Sequence, residues 1–187
     1  MNVGERILAS LFSATTARTA GFNSVDTGSL TSASKVLTCA LMFIGGSPGS
    51  TAGGIKTTTI FILVVSLWSG ITDRHKTAIF KRRFEDDAIK KASIVFTLNM
   101  FLAVSALFTI LAITDLPLSD VMFEVFSAMG TVGMTTGITR DLSSAARIII
   151  MVLMFCGRVG SLSFALTFLQ GKKDPPVYYP EEEISVG

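Results

Sequence analysis

Two short Thr-x-Gly sequences carry the clearest chemical signal in this chain. They are Thr19-Ala20-Gly21-Phe22 and Thr131-Val132-Gly133-Met134. A cation that leaves water needs oxygen ligands in place of its hydration shell, and a strip of extended backbone can supply carbonyl oxygens. Glycine permits the dihedral angles that a bulky residue resists, and the threonine hydroxyl offers one more oxygen. The two sequences therefore favour cation coordination, with these eight residues as candidate ion-binding residues.

The two sequences are part of an internal repeat with a constant offset of 112 residues. Thr19 and Gly21 map onto Thr131 and Gly133, and the register continues until Leu41-Met42-Phe43 falls on Leu153-Met154-Phe155. Each copy has a short apolar helix, a glycine turn, a polar linker and a longer apolar helix. That is the outline of a re-entrant pore loop followed by an inner helix. The alternative, an ordinary tight turn at a membrane surface, explains one such sequence better than two in register.

Composition and hydropathy predict an all-α integral membrane protein. Apolar residues make up 49% of the chain, and the mean hydropathy is +0.58. Residues 92–113 carry no charge and would span about 33 Å as a helix, close to the thickness of a bilayer core. Cys39 and Cys156 lie in apolar sequence and are expected to be free, buried thiols, and His75 is expected to be a surface residue of a charged loop.

A glycine-rich segment interrupts the helix that follows the first turn. A continuous helix from Leu30 to Ser69 would be about 60 Å long, twice the bilayer core, and glycine and proline cannot sustain it. Irregular backbone at membrane depth is tolerated only where protein buries it or a water-filled cavity solvates it. We therefore predict two half-helices joined by a segment that borders a cavity. Its residues are Gly45, Gly46, Ser47, Pro48, Gly49, Ser50, Thr51, Ala52, Gly53 and Gly54.

The predicted helices and the charges give a topology. The helices are expected at residues 6–14, 36–44, 60–68, 92–113, 121–129 and 142–169, with Asp120 as the N-cap of the fifth. Seven of the 16 Lys and Arg residues fall in the loop at 71–91, which marks it as cytoplasmic. The tail at 172–187 is expected to be non-helical and cytoplasmic. The units are thus a pore loop with a broken inner helix (1–70), the basic loop, a complete repeat (92–171) and the tail.

Two basic residues near the glycine-rich segment are candidate gate residues. Arg158 lies about 24 Å along the last helix, where a charge is costly unless it faces protein or water. It could snorkel to the headgroups, repel cations below the turns, or hydrogen-bond the carbonyls of residues 45–54. Lys56 follows Gly53-Gly54-Ile55, which invites comparison with a phosphate-binding loop. That motif needs Lys directly after the last Gly, so we expect Lys56 to be a cation near the inner pore instead.

Together these motifs resemble the C-terminal half of the membrane subunit of Ktr/Trk-type potassium transporters, within the superfamily of K⁺ transporters. The resemblance rests on residues 16–23, 45–57, 130–137, 156–160 and 179–182. It implies four helix–pore-loop–helix repeats around one K⁺-channel-like pore, of which about one and a half are present. Residues 19–22 and 131–134 would form the third and fourth strands of the selectivity filter. Residues 45–54, Lys56 and Arg158 would form the gate. The tail resembles that of the Ktr branch.

The resemblance also implies partners and a location. The implied ions are K⁺ as the transported ion and Na⁺ as a coupling or activating ion. The implied partners are a second copy in a homodimer, a cytosolic nucleotide-binding regulatory subunit that the basic loop could dock, the missing N-terminal half of the pore, and lipid of the plasma membrane. We expect no nucleic-acid partner, no catalytic residue and no enzyme activity, and we expect a fragment or half-subunit that does not conduct alone. The rival interpretation is a non-conducting membrane scaffold, and a phosphate-loop enzyme is a distant third.

Overall fold

A computed structural model describes residues 2–72, 78–79 and 82–160 of the 187-residue chain. In chain order the helices are α1 (Val3–Thr16), α2 (Ser32–Phe43), α3 (Thr57–Ile71), α4 (Asp86–Ile113), α5 (Leu118–Met129), a 3-10 helix (Ile138–Arg140) and α6 (Ser144–Val159). Two strands of two residues each, β1 (Ala78–Ile79) and β2 (Arg82–Arg83), pair in antiparallel register between α3 and α4. The described fold is therefore helical apart from this short ladder.

The repeat in the sequence is also a repeat in the structure. Helices α2 and α6 begin at Ser32 and Ser144, which are 112 residues apart. Each is capped by the preceding hydroxyl residue: Thr31 Oγ1 and Ser143 Oγ each accept a backbone N–H at 3.3 Å. A capping hydroxyl satisfies one of the amides that a helix start leaves without a partner. Both helices thus start at the same repeat position for the same local reason.

Among the described residues, α4 is the helix that is long and apolar enough to cross a membrane. It has 28 residues, or about 42 Å, and its most apolar window has a mean hydropathy of 2.3 with 22% of its residues buried. Helices α2 and α3 are apolar but shorter. Large side chains such as Phe101 and Phe108 are exposed on α4. Exposed apolar area of this kind suits contact with lipid or with further protein.

Two apolar clusters hold the helices together. The larger one packs α4 against α5 and α6, with Ile110, Val121 and Ala146 fully buried. The second one joins the two repeats through Cys39 and Met42 of α2 and Phe123 of α5. The other members of the second cluster, Ala17, Val132 and Met134, lie in or beside the Thr-x-Gly turns. The turns are thus fixed to the core on which the helices pack.

Two predicted helix boundaries differ from the structure. Helix α6 ends at Val159, because Gly160 has a φ of +88°, outside the helical region. The rest of the predicted last helix, residues 161–169, lies outside the described residues. Helix α5 begins at Leu118 after Pro117, so Asp120 lies in its first turn and is not the N-cap. The predicted all-α fold class is confirmed, with the short β1–β2 ladder in addition. Much of the basic loop (73–77 and 80–81), with His75, and all of the tail (172–187) lie outside the described residues.

Asp120 instead forms an ion pair across the repeats. Its Oδ1 lies 2.7 Å from Nζ of Lys35 on α2, and the two side chains are 16% and 11% exposed. Removing one partner leaves a largely buried charge without compensation. We expect Asp120→Asn to lower the free energy of unfolding by about 1–3 kcal/mol, seen as a lower melting temperature of the protein in detergent.

The exposed Asp141→Asn is the control for this prediction and should leave the melting temperature unchanged. The double variant Lys35→Met/Asp120→Leu, which removes both charges, should recover much of the loss. A melting temperature that Asp120→Asn does not lower would contradict the structural role of the pair.

Candidate functional site

The two Thr-x-Gly turns share one unusual backbone conformation. Thr19 and Thr131 have φ values of +68° and +52°, and no other described residue except glycine has a positive φ. Gly21 and Gly133 follow at +73° and +84°. A threonine in the left-handed region is costly because its Cβ crowds the backbone. The same costly geometry at the same repeat position indicates that the surrounding structure imposes it at both turns.

The helix before each turn holds the turn through its last carbonyls. Thr16 O, at the end of α1, accepts the backbone N–H groups of Ala20 at 3.1 Å and Gly21 at 3.2 Å. Ser127 O, near the end of α5, accepts the N–H of Val132 at 2.9 Å. These contacts turn the amides of the turn residues toward the helices. The helix C-termini, which carry a partial negative charge, lie beside both turns, and this favours nearby cations.

The two turns lie side by side. Thr19 Oγ1 donates to Gly130 O at 3.2 Å. A Cβ added to Gly21 would lie 2.3 Å from Val132 O, so only glycine fits at this position. Gly133 is different: its φ is strained for other residues, but a Cβ there would have no heavy atom within 4 Å. The sequence predicts equivalent glycines, and the structure makes Gly21 the more constrained one.

The residues after the two glycines have carbonyls that are already hydrogen-bonded. Thr16 Oγ1 donates to Phe22 O at 2.7 Å, and Ser127 Oγ donates to Met134 O at 2.5 Å. Each hydroxyl comes from the helix that precedes its turn. The side chains differ, since Phe22 is 70% exposed and Met134 is 5% exposed. Phe22 and Met134 thus mark the hydrogen-bonded ends of the turns.

The glycine-rich segment (residues 45–54) is closed at its base and contacts the second turn. Gly45 N donates to Ile55 O at 2.8 Å, and Ile55 N donates to Phe43 O at 3.1 Å, which pairs the two ends of the segment. At its far side, Gly53 N donates to Thr131 Oγ1 at 3.0 Å. A Cβ on Gly53 would lie 2.5 Å from the same oxygen. The close approach of the segment to Thr131 therefore depends on glycine.

Three basic side chains from three parts of the chain bind carbonyls of this segment. Arg18 Nη1 donates to Gly45 O at 3.4 Å, and Arg158 Nη1, from the end of α6, donates to Thr51 O. Lys56 Nζ donates to Ala52 O at 2.6 Å and to Ser50 O at 3.3 Å. Since carbonyls of the glycine-rich segment already bind the ammonium of Lys56, the geometry disfavours a phosphate-binding loop here. Sequence reasoning missed Arg18, because nothing in its local sequence points to a residue 27 positions away.

Comparison with known proteins gives the family. The family described as "TrkH: Cation transport protein" matches residues 1–174. The chain belongs to this family. The resemblance to Ktr/Trk-type transporters is therefore confirmed, and membership implies that this TrkH-family chain is a membrane protein.

Relatives of the chain are transport proteins by name. It is 38% identical over 187 residues to the Ktr system potassium uptake protein B of Bacillus subtilis, covering 100% of this chain and 42% of that protein. It is 36% identical over 189 residues to the potassium/sodium uptake protein NtpJ of Enterococcus hirae, covering 98% and 42%. The TrkH-family chain thus spans less than half the length of these two relatives.

A solved structure supports the fold. The crystal structure of the potassium transporter TrkH from Vibrio parahaemolyticus matches this chain with a TM-score of 0.69. The match covers 87% of this chain and 36% of that one at 21% identity. At that identity the likeness shows a shared fold and nothing about the ion.

Other residues at the site of this TrkH-family chain gave no usable signal in the sequence. Ser127 and Thr27 are buried, and Thr27 Oγ1 donates to Thr135 O across the repeats. Glu124 is a buried carboxylic residue in α5. Within the described part of the chain, no three His, Cys, Asp or Glu side chains are grouped so that they could hold a metal ion. Cys39 and Cys156 are buried and free.

Proposed function

We propose that this chain supplies two of the strands that line a potassium pore, and that the assembled pore carries K⁺ into the cell down its electrochemical gradient. The observation that supports this best is the pair of turns at residues 19–21 and 131–133, which share one strained backbone and lie in contact. Strain of this kind persists only where the structure over-determines it, and it concentrates at functional sites. The names of the two relatives support K⁺ as the ion.

The proposed ion ligands are the backbone carbonyls of Thr19, Ala20 and Gly21 and of Thr131, Val132 and Gly133. Carbonyl dipoles replace the hydration shell of an entering cation, and several sites in a row allow it to leave again. Phe22 and Met134 are less suited to this role than the sequence suggests, because a hydroxyl already binds each of their carbonyls. We therefore propose three ligand positions in each turn, with Phe22 and Met134 as anchors.

The glycine-rich segment is the proposed gate. It contacts Thr131 through Gly53, and Arg18, Lys56 and Arg158 bind its carbonyls. A segment held by side chains that can release it is the kind of two-state element that gating requires. In the arrangement described here, we propose that residues 45–54 obstruct the path below the turns.

We also propose a topology, partners and a coupling ion. The basic loop and the tail lie in the cytoplasm, the partners are a second copy and a nucleotide-binding regulatory subunit, and Na⁺ is the coupling ion. The exposed apolar faces of α2 and α4 support assembly with further protein or lipid. The same faces would suit a non-conducting membrane scaffold, which is the second candidate function.

The experiment that separates the two functions measures Rb⁺ uptake, with Rb⁺ as a K⁺ surrogate, in cells that lack K⁺ transporters. The cells express this chain, the unmatched remainder of the Bacillus subtilis relative, or both. Uptake only with both pieces is the expected result, since two strands of a four-repeat filter cannot close a pore. Good membrane expression of both pieces without uptake would overturn the pore function and favour the scaffold.

A further inference from the structure

Glu124 lies at the centre of a hydrogen-bonded cluster behind the second turn. It is 6% exposed, on the face of α5 toward the residues that follow Met134. Its Oε1 accepts from Thr135 Oγ1 and, at 2.9 Å, from Thr139 Oγ1. Burying a carboxyl group is unfavourable unless hydrogen bonds compensate for the lost water. The two threonine hydroxyls provide that compensation.

Thr135 connects this cluster to the backbone. Besides donating to Glu124, its hydroxyl accepts the N–H of Gly137 at 2.9 Å, which fixes the bend before the 3-10 helix. Thr135 directly follows Met134, whose carbonyl is held by Ser127. Glu124 and Ser127 are three residues apart on α5, so they lie on the same side of that helix. Together they bind two successive residues at the end of the second turn.

The first repeat has no equivalent of this cluster. Because of this asymmetry, Glu124 holds the residues that follow both turns. The repeat position of Glu124 is occupied by Phe12, and that of Thr139 by Thr27. Thr139 binds Glu124, whereas the Thr27 hydroxyl crosses to the other repeat and donates to Thr135 O. Residue 27 is 4% exposed, so it is buried in that position. The linkers after both turns thus meet at Thr135, which Glu124 holds.

We propose that Glu124 is a positioning residue that sets the ion discrimination of the filter by fixing the outer ends of both turns. The proposal rests on the proposed function of the turns. A filter discriminates between ions through the size of the site and through the number and field of the carbonyl dipoles that replace the hydration shell, and both depend on where the turns hold their carbonyls. Without Glu124, Thr135 loses its anchor on α5, and the ends of both turns gain freedom. The pore then admits Na⁺, the smaller ion, but still conducts.

The test uses a chimaeric subunit, in which this chain replaces the segment that it matches in the Bacillus subtilis relative. Glu124→Ala should lower the ratio of Rb⁺ to Na⁺ uptake about tenfold, the size expected for the loss of one or two buried hydrogen bonds. Glu124→Gln keeps an acceptor oxygen in the same place and should restore most of the ratio. Glu5→Gln, an exposed glutamate of α1, should leave the ratio unchanged.

A milder pair of variants covers the case in which Glu124→Ala fails to fold. Thr139→Val removes one donor to Glu124 from an exposed position and should lower the ratio about threefold. Thr109→Val is its control, since the exposed hydroxyl of Thr109 binds only the carbonyl of Ser105 within α4. A parental ratio in Thr139→Val would overturn the proposal, and so would a parental ratio in a folded Glu124→Ala.

A second readout does not depend on transport. Hydrogen–deuterium exchange of the purified subunit should be faster at the amides of residues 134–139 in Thr139→Val and Glu124→Ala than in the parent, with α4 unaffected. Unchanged exchange at these amides would overturn the anchoring role whatever the uptake shows. If the parent chimaera folds but carries no Rb⁺, the proposed function fails, and the exchange data still decide whether Glu124 anchors the turns.

Discussion

Gly21→Ala is expected to reduce Rb⁺ uptake by the chimaeric subunit about a hundredfold or more, and Gly133→Ala only about tenfold. A side chain at either position must adopt a positive φ, which costs about 1–2 kcal/mol, or roughly one factor of ten. At Gly21 the new Cβ would also meet Val132 O at 2.3 Å, so the neighbouring turn must move. At Gly133 no heavy atom lies within 4 Å of the new Cβ.

The measurement is Rb⁺ uptake at matched membrane expression, with Gly70→Ala as the control. Gly70 lies in α3 without a positive φ, and its added Cβ would meet nothing within 4 Å. We expect the control to transport as the parent does. Equal losses of Rb⁺ uptake in Gly21→Ala and Gly133→Ala would show that the positive φ alone accounts for the loss. Unchanged uptake in Gly21→Ala would contradict the contact between the turns.

Arg158→Gln is expected to raise Rb⁺ uptake several-fold. The guanidinium of Arg158 donates to Thr51 O and so stabilises the glycine-rich segment in the position in which we propose that it obstructs the path. A hydrogen bond from a charged donor contributes about 1.5–3 kcal/mol, and its loss shifts a two-state gate toward the open state about tenfold or more. Lys56 and Arg18 still bind the segment, which limits the observed rise.

Arg147→Gln is the matched control for Arg158. Arg147 lies on the same helix, is exposed, and donates to Arg140 O rather than to the glycine-rich segment. Its replacement should leave uptake and its dependence on external Rb⁺ unchanged. The gate role of Arg158 would be refuted by unchanged flux in Arg158→Gln, or by an equal rise in both variants.

The repeat and the helices could be predicted because both leave local or periodic signals in the sequence. A constant offset of 112 residues identified the two turns, and hydropathy located α4, whose C-terminal end at Ile113 is the predicted one. Helix ends were less predictable where one residue decides them. Gly160 ends α6 through its positive φ, and Pro117 starts α5 three residues ahead of the predicted position.

The contacts around the turns could not be predicted, because each joins residues far apart in the chain. Lys35 and Asp120 are 85 residues apart, and Gly53 and Thr131 are 78 apart. The sequence also suggested that equivalent residues behave alike. Phe22 and Met134 occupy the same repeat position, yet one side chain is exposed and the other is in the core. Only the packing of the second repeat against α2 distinguishes them.

The most direct test of the proposed pore is to locate the ions. Crystals of the chimaeric subunit grown in Rb⁺ would be measured at the rubidium absorption edge, where the anomalous signal identifies bound Rb⁺. We predict peaks beside the carbonyl oxygens of residues 19–21 and 131–133, in one line with those of the other two repeats. An ordered filter region without Rb⁺ at these carbonyls, in a subunit that transports Rb⁺, would contradict the assignment of the two turns as filter strands.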